Sequence, residues 1–304
     1  MALSRRDFLK LTGATALTLT RRESEAQTPR IATRPYGKTG WSASIYAVGT
    51  AEIPETEASV KALNQLLDGG VNFIDTAPSY QGTRSETAIG MVMAKRRKDV
   101  FLATKTLARD ADGAYAEVKA SLERLQTKQI DLLQVHAVND DGTLDQVLAT
   151  GGAVKGLERA KREGLIRHIG LTGHTRPEVI LRALDAYPFD AILVPVSALD
   201  KHIHDFATDV LPKANKLGIG ISGMKALKGM EFARGRVDEP EPLLRYALTL
   251  PISTLAIGLR QVSEVEPNLR VARNFKPMPA EEMRALETAV HPLATTQALW
   301  WKRR

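Results

Sequence analysis

The sequence predicts a (β/α)8 TIM barrel, in which eight parallel strands alternate with eight helices. The chain has 304 residues, a length that suits this fold as a single domain. Short apolar runs alternate along it with stretches whose apolar residues have helical spacing. No long Pro/Gly/Ser linker divides the chain, and 43% hydrophobic residues supply a sizeable core. We therefore expect one barrel domain over residues 27–304, preceded by a separate segment, residues 1–26.

The strand candidates are short, continuously apolar and rich in β-branched residues. These properties are typical of strands that are buried on both faces of a parallel sheet. In chain order the predicted strands are 45–48, 71–74, 100–103, 130–135, 168–171, 191–194, 219–222 and 253–257.

Amphipathic stretches between these runs predict the helices. The first, 55–70, ends in two glycines, which commonly stop a helix. Further helices are expected over 85–98, 114–127, 153–164, 176–187 and 205–218, and a last helix over 280–290 follows the eighth strand. The segment 137–146 after the fourth strand is expected to be a short loop, and together with a short C-terminus it predicts an open, permissive pocket.

The N-terminal segment has the composition of an export sequence. SRRDFLK at residues 4–10 is followed by the mildly apolar run LTGATALTLT and by small residues at Ser24 and Ala26. SRRxFLK resembles a twin-arginine (Tat) signal, which passes proteins already folded around a cofactor to the Tat export machinery. This resemblance implies a periplasmic or otherwise exported protein, cut after Ala26. An ordinary basic amphipathic N-terminus is the alternative. The run is too short for a stable membrane anchor.

Charge and composition exclude several classes of function. The net charge is +7, of which residues 1–26 carry +2 (five Lys/Arg, three Asp/Glu), so the remainder carries about +5. This balance favours anionic ligands such as a phosphorylated cofactor. No Lys/Arg block is interleaved with aromatic residues, which argues against nucleic-acid binding. The chain has no cysteine, which excludes disulfides, thiolate zinc sites and cysteine-bound iron–sulfur clusters.

Four polar residues follow three successive predicted strands. GVNFIDTAPSY places Asp75 and Tyr80 after the second strand, FLATKT places Lys105 at the end of the third, and IDLLQVH places His136 after the fourth. In a barrel of this kind the chemistry lies at the carboxyl ends of the strands. We therefore expect the four side chains to converge at one rim as an acid/base site.

The segments that surround these residues resemble the aldo-keto reductases. RPYGKTGWSASIYAVGT (34–50) is similar to the family's opening, GVNFIDTAPSYQGTRSE (70–86) to its Asp/Tyr signature, and LRYALTLPISTLAIGLRQVSEVEPNL (244–269) to its last barrel unit. The resemblance covers residue 34 to about residue 290. It implies reduction of an aldehyde or ketone with a nicotinamide cofactor, with Asp75, Tyr80, Lys105 and His136 as the catalytic tetrad.

The resemblance also implies a role for each tetrad residue. Tyr80 supplies the proton, although free tyrosine has a pKa of about 10 and is a slow acid at neutral pH. The Lys105 ammonium is expected to lower that pKa, and Asp75 to keep Lys105 charged and oriented. His136 hydrogen-bonds the carbonyl oxygen, so that with Tyr80 it stabilises the developing alkoxide.

Cofactor contacts are expected from the loops after strands 5, 7 and 8, with departures from the family pattern. Many relatives have Ser-Asn, Gln and Tyr at positions that align here with Thr172-Gly173, Leu193 and Met224. Gly258 and Glu264 replace the Lys and Arg of NADP-preferring relatives, and Arg260 is the candidate substitute. Because Arg260 can take over the contact with the 2′-phosphate, NADP is expected as the cofactor, with NAD as the alternative. The expected cofactor-binding residues are Thr172, Gly173, Met224, Lys225, Lys228, Gly258, Arg260 and Asn268.

Two other functions remain open. One is a barrel that binds the cofactor, has little turnover and senses redox state. The other is a metal-dependent hydrolase, for which His202 and His204 have a ligand-like spacing. We interpret that pair as part of a solvated loop and expect no metal. Trp300 and Trp301 are expected to pack as part of a C-terminal tail.

Overall fold

The computed structural model describes residues 30–228, 237 and 239–302. Residues 1–26, which carry the predicted export signal and Ala26, lie outside the described residues. Eight parallel strands form a closed barrel, so the predicted fold is confirmed. The barrel begins with a short antiparallel hairpin of β1 (Thr33–Pro35) and β2 (Ser42–Ser44). The sequence did not predict this hairpin, because three-residue strands are too short to show a period.

The barrel strands match the eight predicted runs to within a few residues. They are β3 (Tyr46–Gly49), β4 (Phe73–Asp75), β5 (Phe101–Thr106), β6 (Ile130–Val135), β7 (Ile166–Thr172), β8 (Ala191–Pro195), β9 (Gly220–Met224) and β10 (Thr254–Gly258). Each strand pairs with the next in chain order, and β10 pairs with β3 to close the barrel. All carboxyl ends therefore lie at one rim.

Helices cover the outside of the barrel. Those described are α1 (Glu57–Asp68), α2 (Arg84–Arg96), α3 (Ala111–Arg124), α4 (Asp141–Leu148), α5 (Ala153–Arg162), α6 (Pro177–Ala186), α7 (Phe206–Asp209), α8 (Leu211–Leu217), α9 (Pro240–Thr249), α10 (Val265–Arg273) and α11 (Ala280–Val290). None of the described helices is both long and apolar enough to cross a membrane.

Aromatic side chains fill the amino-terminal end of the barrel. The Tyr36 ring, from the hairpin, lies edge-on to Phe73 at 4.9 Å and to Phe101 at 5.2 Å between ring centroids. Its hydroxyl forms a 2.9 Å hydrogen bond with the hydroxyl of Ser222. These rings bury large apolar areas at the amino-terminal end of the strands, and the candidate site lies at the opposite rim.

Two sequence-based expectations were wrong in detail. The predicted loop 137–146 contains most of helix α4, which begins where the Asp140 carboxylate accepts a hydrogen bond from the Thr143 amide at 2.8 Å. This N-cap was hidden by the turn-forming residues around it. The predicted helix 205–218 is two helices, α7 and α8, which meet at Val210. Pro212 lies in the first turn of α8, where its missing N–H is tolerated.

Candidate active site

The four predicted catalytic residues meet at the carboxyl rim. Asp75 is the last residue of β4, Lys105 lies near the end of β5, and His136 directly follows β6. Tyr80 begins a short turn of 3₁₀ helix after β4. Asp75 is 4% exposed and Lys105 is 1% exposed, so both charges lie inside the barrel mouth. The structure therefore brings these residues together as the sequence predicts.

Lys105 is held by two short hydrogen bonds. Its ammonium donates to Asp75 Oδ2 at 2.6 Å and to the carbonyl of Thr76 at 2.7 Å. The same nitrogen lies 4.7 Å from the centroid of the Tyr80 ring. Burial lowers the pKa of Lys105, but the Asp75 carboxylate and the Tyr80 phenol raise it by more. The net pKa of Lys105 therefore lies above its ordinary value. Lys105 is therefore charged and fixed against the phenol.

The pKa of Tyr80 differs from the sequence-based expectation. Burial raises the pKa of the phenol, the Lys105 ammonium lowers it, and the Asp75 carboxylate raises it again. The net pKa lies above the ordinary value of 10. Lysine thus acts in the predicted direction, but loss of solvent outweighs it. The phenol is protonated at neutral pH, which is the form that donates a proton.

The turn that carries Tyr80 contains three consecutive residues in the left-handed region. They are Gln81 (φ 51°), Gly82 (φ 60°) and Thr83 (φ 73°). Only glycine adopts this conformation without steric cost. The Gln81 side-chain amide donates to the carbonyl of Ala51 at 3.0 Å and helps to hold the turn. Such strain is concentrated at functional sites, and here it fixes the phenol at the rim.

His136 is neutral and rigidly placed. Burial, together with the charges of Lys105 and Arg109, lowers its pKa to about 2. Its amide donates to the carbonyl of Thr106 at 2.9 Å, and its own carbonyl accepts from Arg109 Nη2 at 2.8 Å. Its ring is nearly perpendicular to that of Tyr80, with centroids 6.1 Å apart. A neutral imidazole has one N–H, which can be donated to a carbonyl oxygen.

His174 is a second neutral imidazole at the site. It follows Thr172 and Gly173 in the loop after β7. Its ring centroid lies 6.2 Å from that of His136. Burial, together with the charges of Lys225 and Lys105, lowers its pKa to about 3. Two uncharged histidines therefore line a mouth that is surrounded by cations.

These two histidines make stability depend on pH. Their folded-state pKa values lie below the ordinary value of 6.5, so the unfolded chain binds more protons below pH 6.5. Each histidine then lowers the free energy of unfolding by up to about 1.4 kcal/mol per pH unit as the pH falls. We expect urea unfolding between about pH 6.5 and about pH 5 to show this slope, and His174→Asn to reduce it. An unchanged slope in His174→Asn would contradict the assignment.

Gln134 is a site residue that the sequence analysis missed. Its side-chain amide donates to Asp75 Oδ1 at 2.9 Å, so both oxygens of the Asp75 carboxylate are engaged. Gln134 is paired with Lys105 in the register of β5 and β6. It precedes His136 by two residues, and alternate residues of a strand face the same side. The two-residue spacing between Gln134 and His136 was the sequence signal that could have indicated its role.

The loops after β6 and β7 are tied together by two of the predicted cofactor residues. The hydroxyl of Thr172 accepts a hydrogen bond from the Ala137 amide at 2.9 Å. A Cβ atom on Gly173 would lie 2.5 Å from the Ile180 side chain and 3.0 Å from the carbonyl of Val138. Gly173 therefore permits close packing of the two loops.

Leu193, where many relatives have Gln, is buried in β8.

Met224 and Lys225 lie at the end of β9 and face different surroundings. Met224 is 8% exposed and presents an apolar thioether at the rim. Lys225 has a left-handed backbone, with φ 68°. Its ammonium lies 5.2 Å from the Trp300 ring centroid and 5.9 Å from that of Trp301. The Lys225 ammonium thus faces the C-terminal tail.

Lys228 and Arg260 share one carboxylate. Lys228 Nζ and Arg260 Nη2 each lie 3.3 Å from Oε1 of Glu52, in the loop after β3. The sequence analysis did not identify Glu52. Gly258, the last residue of β10, is exposed, and no other atom lies within 4 Å of the position that a Cβ would take. The side chain of Asn268 donates to the hydroxyl of Tyr46 at 3.4 Å.

These residues fit a nicotinamide dinucleotide. Such a cofactor has a flat ring with an apolar face and several anionic phosphate oxygens. Met224 offers an apolar contact at the rim, Lys228 and Arg260 offer two cations, and the described residues leave open space beside Gly258 at the end of β10. A thioether packs well against an aromatic face, and a guanidinium binds phosphate bidentately.

The His202 and His204 pair does not form a metal site in the described part of the chain. A ring nitrogen of His202 forms a 2.9 Å hydrogen bond with the carbonyl of Glu287, and the ring stacks on His291 at 4.4 Å. Within residues 30–228, 237 and 239–302, no group of three His, Cys, Asp or Glu side chains is placed to hold a metal ion.

The C-terminal tail packs against the rim, as the sequence predicts. Lys302 Nζ lies 3.0 Å from Asp200 Oδ1, and the indole N–H of Trp301 donates to the same oxygen at 3.4 Å. Asp200 also accepts hydrogen bonds from the amide and hydroxyl of Ser197 at 2.9 and 2.6 Å. Trp301 and Lys302 are buried, and Trp300 is 52% exposed.

Comparison with known proteins agrees with this fold. The model of the aldo/keto reductase family matches residues 46–243, which is more than half of the chain. The uncharacterised oxidoreductase YqkF of Bacillus subtilis is 25% identical over 277 residues, which cover 77% of this chain and 88% of YqkF. L-Galactose dehydrogenase of Arabidopsis thaliana is 25% identical over 314 residues, which cover 87% of this chain and 96% of the plant enzyme.

Solved structures have the same fold. An aldo-keto reductase of Bacillus halodurans superposes with a TM-score of 0.74 at 24% identity, covering 86% of this chain and 96% of that protein. The match to the family model spans β3 to the start of α9 and includes all four residues that meet at the rim. The chain therefore belongs to the aldo/keto reductase family.

Proposed function

We propose that this oxidoreductase reduces an aldehyde or ketone to an alcohol with NADPH, and that Tyr80 donates the proton. The observation that carries the proposal is the position of Lys105. Its ammonium is anchored by the Asp75 carboxylate at 2.6 Å and lies 4.7 Å from the Tyr80 ring. A charged group buried in this position stabilises the phenolate that proton donation leaves behind.

Each side chain has one task in the reaction. A bound nicotinamide supplies the hydride, which no side chain can provide. His136, as a neutral imidazole, donates a hydrogen bond to the carbonyl oxygen and sets its orientation. The Tyr80 hydroxyl donates its proton to the same oxygen as negative charge develops there. Asp75, held from its other side by Gln134, keeps Lys105 charged and directed at the phenol.

The direct test uses the purified protein without substitutions. Titration with NADPH and with NADH, followed by fluorescence, should show saturable binding. Loss of reduced-cofactor absorbance across a panel of neutral aldehydes and ketones should then show turnover. Cofactor binding without turnover of any carbonyl would favour the redox-sensing alternative, against which the intact tetrad argues. Tightly bound zinc would favour the hydrolase, which no cluster of ligands among the described residues supports.

Arg260 is proposed to select NADP by binding its 2′-phosphate. Its guanidinium is 65% exposed, and its Glu52 contact, at 3.3 Å, is weak enough to be replaced by phosphate. Removing a charge-assisted contact typically costs about 1.5–3 kcal/mol, or roughly tenfold or more in affinity. We therefore expect Arg260→Ala to raise the Kd for NADPH by about tenfold and to leave that for NADH unchanged. An equal loss for both cofactors would contradict a role at the 2′-phosphate.

We also propose that residues 1–26 direct export through the Tat machinery and that residues 27–304 form the mature periplasmic enzyme. Arg5 and Arg6 in SRRDFLK support this proposal, as does the use of a cofactor that is bound only by the folded protein. Cell fractionation of wild type and of the Arg5→Lys/Arg6→Lys variant tests it. Equal cytoplasmic retention of both chains would refute export.

A further inference from the structure

Lys225 is a half-buried cation without a counter-ion in the part of the chain that the structure describes. No described residue forms a hydrogen bond or an ion pair with its ammonium, which lies instead over the rings of Trp300 and Trp301. The other lysines at this rim are paired with carboxylates: Lys105 with Asp75, Lys228 with Glu52, Lys302 with Asp200 and Lys201 with Asp205.

The backbone holds Lys225 in a conformation that lysine rarely adopts. Its φ of 68° is left-handed, although the residue has a Cβ. The preceding carbonyl, of Met224, accepts the Val196 amide at 3.0 Å, and its own carbonyl accepts the Lys228 amide at 2.9 Å. The surrounding loops thus fix the direction of the side chain. Strain of this kind is typically retained where it positions a functional group.

The surroundings of Lys225 favour an anion. Its charge is close enough to His136 and His174 to lower the pKa of both rings. The carboxylates whose charge reaches Lys225 are those of Asp200 and Glu52, which are already paired with other cations. Burial, Lys228 and Lys105 lower the pKa of Lys225 to about 8, because they destabilise its charged form. A bound anion would stabilise the charged form again.

The aromatic contacts support binding of an anion at this place. An ammonium on the faces of two indoles loses water, and a desolvated ammonium binds an anion more strongly than a hydrated one. Trp300 is 52% exposed beside it and offers an apolar surface at the mouth. Tyr80 and His136 define where the carbonyl oxygen lies, and the charge of Lys225 reaches both His136 and the neighbouring His174.

We propose that Lys225 binds the carboxylate of an oxo-acid substrate, so that the preferred substrates are aldehydes or ketones that also carry a carboxylate. This inference rests on the proposed reductase function and adds the substrate class to it. A second anion of similar chemistry is the pyrophosphate of the cofactor. The position of the ammonium, over the rings of Trp300 and Trp301 and with its charge reaching His136 and His174, favours the substrate.

The test compares two aldehydes of similar shape, para-carboxybenzaldehyde and para-methylbenzaldehyde. Wild type should prefer the carboxylate. Lys225→Met should lose about tenfold or more in kcat/KM for the carboxylate, which is the usual effect of removing a charge-assisted contact. It should keep its kcat/KM for the methyl compound, and Lys225→Arg should keep the preference. Lys201→Met is the matched control, because it removes a lysine at the same rim that is already paired with Asp205.

Three results would overturn the inference. Wild type without preference for the carboxylate would refute it, as would an unchanged preference in Lys225→Met. Equal losses for both aldehydes together with a higher Kd for NADPH would assign Lys225 to the cofactor pyrophosphate.

A binding measurement with benzoate tests this inference separately from the proposed function. Benzoate should change tryptophan fluorescence in wild type and in Lys225→Arg, because Trp300 and Trp301 flank the site, but not in Lys225→Met. Benzoate binding without turnover of either aldehyde would refute the reductase function and leave the anion site standing. Absence of the fluorescence change in wild type would refute the anion site alone.

Discussion

Tyr80→Phe lowers kcat/KM for carbonyl reduction by about 10²- to 10⁴-fold, the usual contribution of a positioned general acid. The substitution removes one hydroxyl and keeps the ring that lies 4.7 Å from the Lys105 ammonium. Binding of NADPH should therefore be unchanged. Single-turnover kinetics with a neutral aldehyde and a fluorescence titration of the cofactor measure the two effects separately.

The matched control for this variant is Tyr115→Phe. Tyr115 lies on α3 and donates its hydroxyl to Glu163 in an exposed contact that includes none of the four catalytic residues. We expect this variant to have wild-type kcat/KM. If Tyr80→Phe reduces carbonyl compounds as fast as wild type, another group delivers the proton and the assignment of Tyr80 is wrong.

Lys105→Met abolishes turnover and also destabilises the protein. The variant leaves the Asp75 carboxylate buried without its cation, and breaking a buried ion pair in this way typically costs about 3–5 kcal/mol. The free energy of unfolding in urea measures this cost. Among the described residues, Lys105 is the one charge that lowers the pKa of the phenol, so activity should remain absent even where the protein is fully folded.

A second substitution separates the two effects. Asp75→Asn in the Lys105→Met background removes the unpaired charge and keeps the hydrogen-bonding shape of the side chain. We expect the double variant to recover most of the lost stability and none of the activity. Recovery of activity would show that the ion pair only supports the fold.

The barrel was predictable because its strands are buried on both faces. Runs such as 100–103 and 191–194 are apolar without interruption, which few other structures require. Polar residues stand at the ends of several of these runs, and this position also predicted the rim at which Asp75, Lys105 and His136 lie. The β1–β2 hairpin and the start of α4 were not predictable, because they depend on single turns and on one capping carboxylate.

The parts of the site that were missed depend on contacts between distant segments. Glu52 joins Arg260 from 208 positions away, and no local pattern indicates that pairing. Gln134 is a polar residue inside an apolar strand, which sequence alone does not distinguish from a satisfied interior amide. Lys225 was identified, but its left-handed backbone directs the ammonium to Trp300. The pKa of Tyr80 required knowledge of how much water the phenol loses on folding.

The anchoring of Trp301 and Lys302 bears on how the enzyme should be produced. The buried pair of Lys302 and Asp200 places this end of the chain next to the barrel mouth. A purification tag fused close behind Lys302 crowds the opening, and an acidic tag competes for the Lys225 ammonium. Recombinant protein of residues 27–304 intended for kinetics should carry its tag at the amino end, so that measured substrate preferences belong to the enzyme.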